Sequence, residues 1–461
     1  MNSHKEQASF RDPNGFIFSS ENEIYRQINQ AGKEDFEMFE SSGLYKSLLS
    51  KELIIEHHET SLACPEPEKG WKVIRPTKLD FVSYPYEWSF SQLKDAALAT
   101  LEIQKTAFAH KMCLRDASAY NIQFFKGKPL LIDSLSFASY KEGSPWVPYR
   151  QFCQHFLAPL ALMSYRDQRL SQLLKVYIDG LPLDLTSKLL PFRSNFNLGI
   201  LMHIILHSRS QSYYADSTET EDRKANQMSK ISLMGLIDSL ESGINSLKPL
   251  ISKTQWGDYY SATNYSSAAE LSKMQTVEKF IDEIKPNNLW DLGANTGHYS
   301  RLATKKKIPV LAFDIDVNAV EINYLESRKK DDIYMSPLLL DLANPSPAIG
   351  WENFERRSFM QRGPADCIMA LALIHHLVIA NNVPMQALAD FFAKMCSSLI
   401  IEFVPKSDSQ VKRLLATRED IFSDYRQDSF EECFTRNFDI VLSEPVKDSE
   451  RTLYLMKKKN L

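Results

Sequence analysis

The stretch Leu289–Ser300, LWDLGANTGHYS, decides the reading of this chain. An apolar run ends in an acid, a glycine-bearing turn follows, and a helix begins. A second apolar run, Pro309–Phe313, ends in Asp314, 21 residues after Gly293. Such a unit builds a pocket at the carboxyl edge of a parallel sheet, where open α/β folds bind ligands. A dinucleotide fingerprint reads G-x-G-x-x-G, with the pyrophosphate on the helix N-terminus. Here Asn295 and His298 stand where the second and third glycines belong. The glycines present are Gly293 and Gly297, with Asp291 in front of them. A carboxylate there repels a pyrophosphate and attracts a cation. The implied ligand is a nucleoside that carries positive charge and no phosphate.

Two further motifs follow in order, Leu338–Leu342 (LLLDL) and Asp366–His376 (DCIMALALIHH). D-L-G-A-N-T-G and F-D-I-D resemble the first two motifs of class I S-adenosylmethionine (SAM)-dependent methyltransferases; LLLDL and DCIMALALIHH resemble the third and fourth. The resemblance covers roughly the last 200 residues, a normal domain length. It implies SAM, whose sulfonium and ammonium suit the carboxylate. Gly293 and Gly297, without Cβ atoms, let the backbone approach the cofactor, and Asn295 lies in the same turn. Asp291 faces the amino or sulfonium end. Asp314 suits the two ribose hydroxyls, and Asp341 can accept from the adenine amine. Ile315 and Leu342 sandwich the ring. An acid at a strand end also serves as a helix N-cap, which stays open for Asp341 and is the reading for Asp316.

Methyl transfer needs an in-line nucleophile. His375 and His376 stand just past the fourth strand, and His376 is the candidate base or substrate orienter, with capping of the next segment as the alternative. Glu402 is a further substrate-edge candidate. No N/D-P-P-Y/F motif follows the fourth strand, which argues against an amino-directed nucleic-acid enzyme. No Pro-Cys nucleophile is present, and Cys367 reads as core. The acceptor expected is a small molecule or a protein side chain, methylated on O or N.

The chain has 461 residues, 44% hydrophobic and 24% charged, with net charge −4. This is ordinary globular composition with no basic surface for nucleic acid. Six scattered cysteines form no C-x-x-C, so no metal site or disulfide framework is indicated. No apolar run reaches the ~20 residues needed to cross a bilayer, and the N-terminus lacks a signal-peptide core, so a cytoplasmic location and no membrane partner are expected. Residues 1–250 and 251–461 read as two domains, divided between Pro249 and about Asp258.

In the second, strands are expected at Leu289–Leu292, Val310–Asp314, Tyr334–Leu340, Cys367–Ala372, Leu399–Val404, Phe438–Leu442 and Thr452–Met456. Helices are expected at Ala269–Ile284, Val317–Arg328, Met385–Cys396 and Gln410–Ala416, and Ser429 with Glu432 reads as a capping box. The fold class is α/β, a Rossmann-like seven-stranded sheet with a terminal antiparallel hairpin, since the link Ser443–Arg451 is too short for a helical crossover. Trp256, Tyr259, Tyr260 and Tyr265 precede it as lid or packing aromatics. Ser208–Lys230 reads as a polar loop, followed by a helix over Ile231–Leu247 that Pro249 stops.

The N-terminal half reads as an α+β domain with a resemblance of its own. Leu114–Asp133, LRDASAYNIQFFKGKPLLID, places Asn121 five residues after Asp116, then a hairpin and an apolar strand ending in Asp133. This resembles the catalytic loop and metal-binding segment of protein-kinase-like folds. There the first Asp handles the acceptor hydroxyl, while the Asn and second Asp hold magnesium. Lys78–Tyr86 would be the hinge strand and Ser91–Met112 the long helix. Leu114 replaces the usual His, Ser134 and Leu135 replace Phe-Gly, no glycine-rich phosphate loop precedes residue 80, and the strand Glu23–Ile28 offers Arg26 in place of a lysine. A degenerate scaffold is expected over an active phosphotransferase, so that Mg-ATP stays a minor alternative as cofactor beside SAM; coincidence within a helical domain is the alternative to the resemblance itself. The whole layout also resembles rhizobial nodulation host-specificity proteins described as methyltransferases. The leading reading is a SAM-dependent methyltransferase. Its rivals are a phosphotransferase with an accessory SAM domain and a SAM-binding regulator without turnover.

Overall fold

The computed structural model describes residues 4–207, 228–250, 267–416 and 418–460. The polar stretch expected from Ser208 lies almost wholly outside them, as do Trp256, Tyr259, Tyr260 and Tyr265. The chain divides into two units. The first is Met1–Leu250 together with Ile349–Arg356; the second is Ile251–Ala348 with Arg357–Leu461.

The first unit begins with strands β1 (His4–Lys5), β2 (Gly15–Ser20), β3 (Glu23–Asn29), β4 (His57–Glu59) and β5 (Gly70–Pro76), an antiparallel sheet in the order β1-β2-β3-β5-β4. Phe16, Phe18 and Val73 bury its apolar positions. The helix Phe90–Ala109 follows, rich in alanine and capped by Ser89 and Gln92, each side chain bonding the other's backbone N–H. It stops earlier than the expected Met112, because Lys111 turns into the left-handed region at φ 59° and β6 (Met112–Leu114) starts. The hairpin β7 (Ile122–Phe125) and β8 (Lys128–Leu131) turns at Lys126-Gly127, both with positive φ as a type I′ turn requires. Strand β9 (Phe137–Ser139) pairs with β6.

Lys78–Tyr86 is not a strand; only a 3-10 turn forms, at Pro85–Glu87. The Gln123 side-chain amide bonds both the N–H and the C=O of Ser83, at 2.9 and 2.8 Å. That satisfies this backbone without a ladder partner. The helix Lys230–Ser246 closes this unit against Gly199. A Cβ on Gly199 would lie 2.6 Å from the Gly243 Cα. The segment Ile349–Arg356 also packs here: Arg11 bonds the buried Glu355 at 2.7 Å, and Arg356 lies 4.1 Å over the Tyr120 ring.

In the second unit, β10 (Leu289–Leu292), β11 (Val310–Asp314), β12 (Met335–Leu339), β13 (Ala365–Ala370), β14 (Cys396–Phe403), β15 (Phe438–Pro445) and β16 (Thr452–Lys458) form one sheet in the order β12-β11-β10-β13-β14-β16-β15. The first five run parallel; β16 is antiparallel to both β14 and β15. Both faces of the sheet are covered, so its strands are apolar runs. Val277, Phe280 and Ile281 of the helix Ser267–Ile284 pack with Leu289, Met369 and Ile400. On the opposite face Trp290, Phe313 and Phe359 form an aromatic cluster. Each fully buried side chain of this size contributes about 1.5–3 kcal/mol. Ser429 and Glu432 form no capping box. The helix begins at Gln427 after an extended Arg426, so Ser429 already lies inside its first turn, its N–H bonded to Asp428.

Gly199→Ala is expected to destabilise the protein by about 1–3 kcal/mol, because backbone atoms cannot yield to the added methyl group as a flexible side chain would. Thermal unfolding of the variant beside the wild type measures this.

Candidate cofactor and active site

The carboxyl ends of β10, β11 and β12 place their acids around one cavity of ≈ 270 Å³. Asp291, Gly293, Asn295, Asp314, Ile315, Asp341 and Leu342 all line it. Gly293 has φ 83° and turns the chain after β10; its N–H and that of Ala294 both bond the Phe313 carbonyl at 2.9 Å. Asn295, at φ 50°, is a residue type that tolerates this region. Gly297 does not line the cavity. Its φ is 77°, and a Cβ would meet the Asn323 side chain at 2.6 Å, so helix packing explains this glycine.

Asp314 accepts the N–H of Asn295 at 2.7 Å on one oxygen and that of Asp316 at 2.8 Å on the other. The Ile315 N–H also bonds this carboxylate, which keeps capacity for a further donor. Asp316 caps the helix Val317–Lys329 through the N–H groups of Asn318 and Ala319. Asp341 caps no helix; its carboxylate accepts the N–H of Ala343 at 2.9 Å and holds the loop.

Asp291 shares a face of β10 with Leu289 and is buried, accepting the Ser300 hydroxyl at 2.5 Å. Burial pushes its carboxyl up to about 7, against the Ser300 bond and helped by the nearby Asp314 charge. Burial likewise raises Asp314 to about 6, although backbone N–H groups oppose the shift.

The far wall is the turn Leu371–Leu373, followed by His376, Leu377 and Asn381. His376 lines the cavity; burial lowers its pKa to about 4, with the Arg451 charge adding to the effect. His375 does not line it. It is buried at 1% exposure, and its pKa is held far below the ordinary range by burial.

Glu402 also stands behind this wall, 0% exposed, so it is no substrate edge. One of its oxygens accepts Lys273 Nζ and the Ala372 N–H, both at 2.7 Å. Arg451 approaches the other at 3.6 Å and donates to Asp408 at 2.8 Å. Ala372 sits at φ 50°, unusual for alanine, so Glu402 fixes a turn that the backbone alone disfavours.

Lys273 and Tyr299 line the cavity without having been singled out in the sequence. A signal existed for Lys273. It occupies the buried stripe of its helix with Ala269, Val277 and Phe280, a core position where a charge demands a partner. Burial lowers its pKa, with Glu402 opposing. Its Nζ lies 4.8 Å from the Tyr299 ring centre.

No protein-family model matches the chain. Among curated proteins it is 35% identical over 452 residues to nodulation protein NoeA of Rhizobium meliloti (strain 1021), covering 97% of this chain and 94% of that one. Among solved structures it is similar to magnesium protoporphyrin IX methyltransferase ChlM of Synechocystis PCC 6803 with bound SAH (15% identity, TM-score 0.32, 44% of this chain and 93% of that one). It is also similar to the N-methyltransferase NodS of Bradyrhizobium japonicum WM9 (12%, TM-score 0.31, 42% and 99%). A third is WbdD (12%, TM-score 0.30, 45% and 43%).

Two expectations follow. Asp291 and Asp314 bind protons more tightly folded than unfolded, so the stability they contribute is present below about pH 4 and lost as pH rises through about 6–7. Asp291→Asn should therefore raise the melting temperature of the ligand-free protein at pH 8 and leave it nearly unchanged at pH 4. Glu402→Gln leaves two buried cations short of a carboxylate and should cost about 3–5 kcal/mol. The double variant with Lys273→Met should recover part of that loss in chemical denaturation.

Proposed function

The chain belongs to the same family as the nodulation protein NoeA, and we propose that its second unit transfers a methyl group from SAM to an oxygen or nitrogen atom of a small-molecule acceptor. The observation that carries this reading is the convergence of Asp291, Gly293, Asp314 and Asp341 on one cavity at the carboxyl edge of the sheet. Three acids and no phosphate-binding glycine loop suit a cationic nucleoside better than a dinucleotide.

The residues present fit this cofactor. Asp314 ends β11 inside this cavity and suits the ribose hydroxyls, with the backbone N–H groups of Asn295 and Asp316 fixing its orientation. Asp341 offers an acceptor to the adenine amine, with Ile315 and Leu342 as apolar neighbours of the ring. Asp291 supplies the counter-charge for the ammonium or sulfonium, and Lys273 stands in the same cavity with a charge suited to a carboxylate. When bound, the cofactor supplies an electrophilic methyl group. Asp291, with its carboxyl pushed up to about 7, ionises more readily once a cation sits beside it.

His376 is neutral at pH 7 and can accept a hydrogen bond from an acceptor hydroxyl or amine. With a pKa lowered to about 4 it keeps a proton poorly, so orientation of the acceptor suits it better than strong base catalysis. The apolar residues around it, Leu371, Leu373 and Leu377, exclude water from the acceptor end.

Isothermal titration of the full-length protein with SAM should show binding, weakened roughly tenfold or more by Asp314→Ala, equivalent to about 1.4 kcal/mol or more. Absence of binding by the wild type overturns the reading. Transfer of labelled methyl from SAM into a cell extract tests turnover and sizes the acceptor. Labelling by His376→Ala equal to wild type would remove His376 from the reaction.

A further inference from the structure

The kinase-like resemblance assigns a magnesium ion to Asn121 and Asp133. The side chains around Asp133 do not fit one. Its Oδ1 accepts the Leu135 N–H at 3.0 Å and also the Arg26 guanidinium. Its Oδ2 accepts the Ser136 hydroxyl at 2.7 Å. The Asn121 amide turns to that same hydroxyl at 3.4 Å, and Asp116 accepts the Ser118 N–H at 2.8 Å. Both carboxylate oxygens of Asp133 are thus engaged by donors of their own unit, one of them by a cation. Among the described residues no group of three His, Cys, Asp or Glu side chains could hold a metal.

Arg26 stands on β3, opposite Ile17 and Ile74 in the ladder. Its side chain is 11% exposed and that of Asp133 16%. The Arg26 Nε meets no acceptor among the described residues, so Asp133 is the anion that compensates this buried charge. Burial, the largest single influence, would raise the Asp133 pKa, yet it lies below the ordinary carboxylate value because the Arg26 charge and the hydrogen bonds from Ser136, Arg26 and the Leu135 N–H together outweigh it. A magnesium ion demands near-octahedral oxygen ligation at short range. On Asp133 it would set two further positive charges beside the guanidinium. Drawing Asp133 away would leave Arg26 buried and unpaired, a state proteins rarely tolerate.

We infer that Arg26 is a built-in cation standing in for a metal: it ties β3 to the Asp133–Ser136 segment, and the first unit takes no magnesium nucleotide at this cluster. The segment after β8 is held whether or not magnesium is present. The lysine-to-arginine difference is then a change of function, since a guanidinium fork binds a carboxylate in fixed geometry where an ammonium is a mobile point charge. This inference does not depend on the SAM reading of the second unit.

The test uses the full-length protein with two probes, Mg-ATP followed by thermal shift and MnCl2 followed by electron paramagnetic resonance. The wild type should show no melting-temperature rise with Mg-ATP and no bound manganese that Asp133→Asn removes. Arg26→Gln should bind manganese at concentrations roughly tenfold or more below any at which the wild type responds, and adding Asp133→Asn should abolish the gain. A wild-type response to either probe that Asp133→Asn abolishes overturns the inference. So does an Arg26→Gln protein that folds and binds manganese no better than wild type. Should Arg26→Gln fail to fold, the wild-type and Asp133→Asn titrations decide alone: silence in both supports the built-in cation, and a response lost with Asp133 refutes it.

Discussion

One buried carboxylate organises a wall of the cavity in the second unit. Glu402 holds the ammonium of Lys273, the N–H of Ala372 and, at longer range, the guanidinium of Arg451. These groups come from the helix before β10, the turn after β13 and the residue before β16. The cavity wall is therefore fixed by electrostatics at a point where the local backbone preference opposes it. Burying three charges together is tolerable only because each has a partner of the other sign. Glu402 pairs with Leu453 across β14 and β16, where the sheet changes from parallel to antiparallel. The sheet's irregular seam and this cavity wall thus share one anchor.

The opposite side of the cavity, at the ends of β10 and β11, obeys a different constraint. Asp291 and Asp314 sit close together with little solvent, and both are held nearer to neutrality than a free carboxyl. Such a site is mildly destabilising without a cation and gains on meeting one. That is the opposite of the Arg26–Asp133 pair, where the cation is part of the chain. The two units thus show two states of a carboxylate with little access to water: Asp291 and Asp314 are held near neutrality, while Asp133 is ionised against Arg26.

Much of the second unit was legible in the sequence because its strands are apolar runs bounded by acids and glycines. Leu289–Leu292 and Val310–Asp314 appear at the expected bounds, and β12 and β13 shift by one or two residues. The acids at strand ends were readable because spacing alone puts them on one edge. Gly297 and His375 were misread. Spacing places a residue near a site but cannot say which way it faces, and these two serve packing. The pairing of Lys273 with Glu402 was hidden for a related reason: the two residues lie 129 positions apart. In the first unit, Gln123 mimics a strand neighbour of Ser83, a side-chain device that no periodicity reveals.

The short excursion Ile349–Arg356 has a topological meaning. The chain leaves the first unit at residue 250, builds three strands of the second, returns to the first for eight residues, and leaves again. The two units are therefore sewn together and not joined end to end. A gene fragment beginning at residue 251 would carry Glu355 and Arg356 away from Arg11 and Tyr120, exposing a carboxylate and a guanidinium shaped for burial. Neither unit is a single continuous stretch of chain. During synthesis the first unit is not complete until the ribosome has passed the middle of the second.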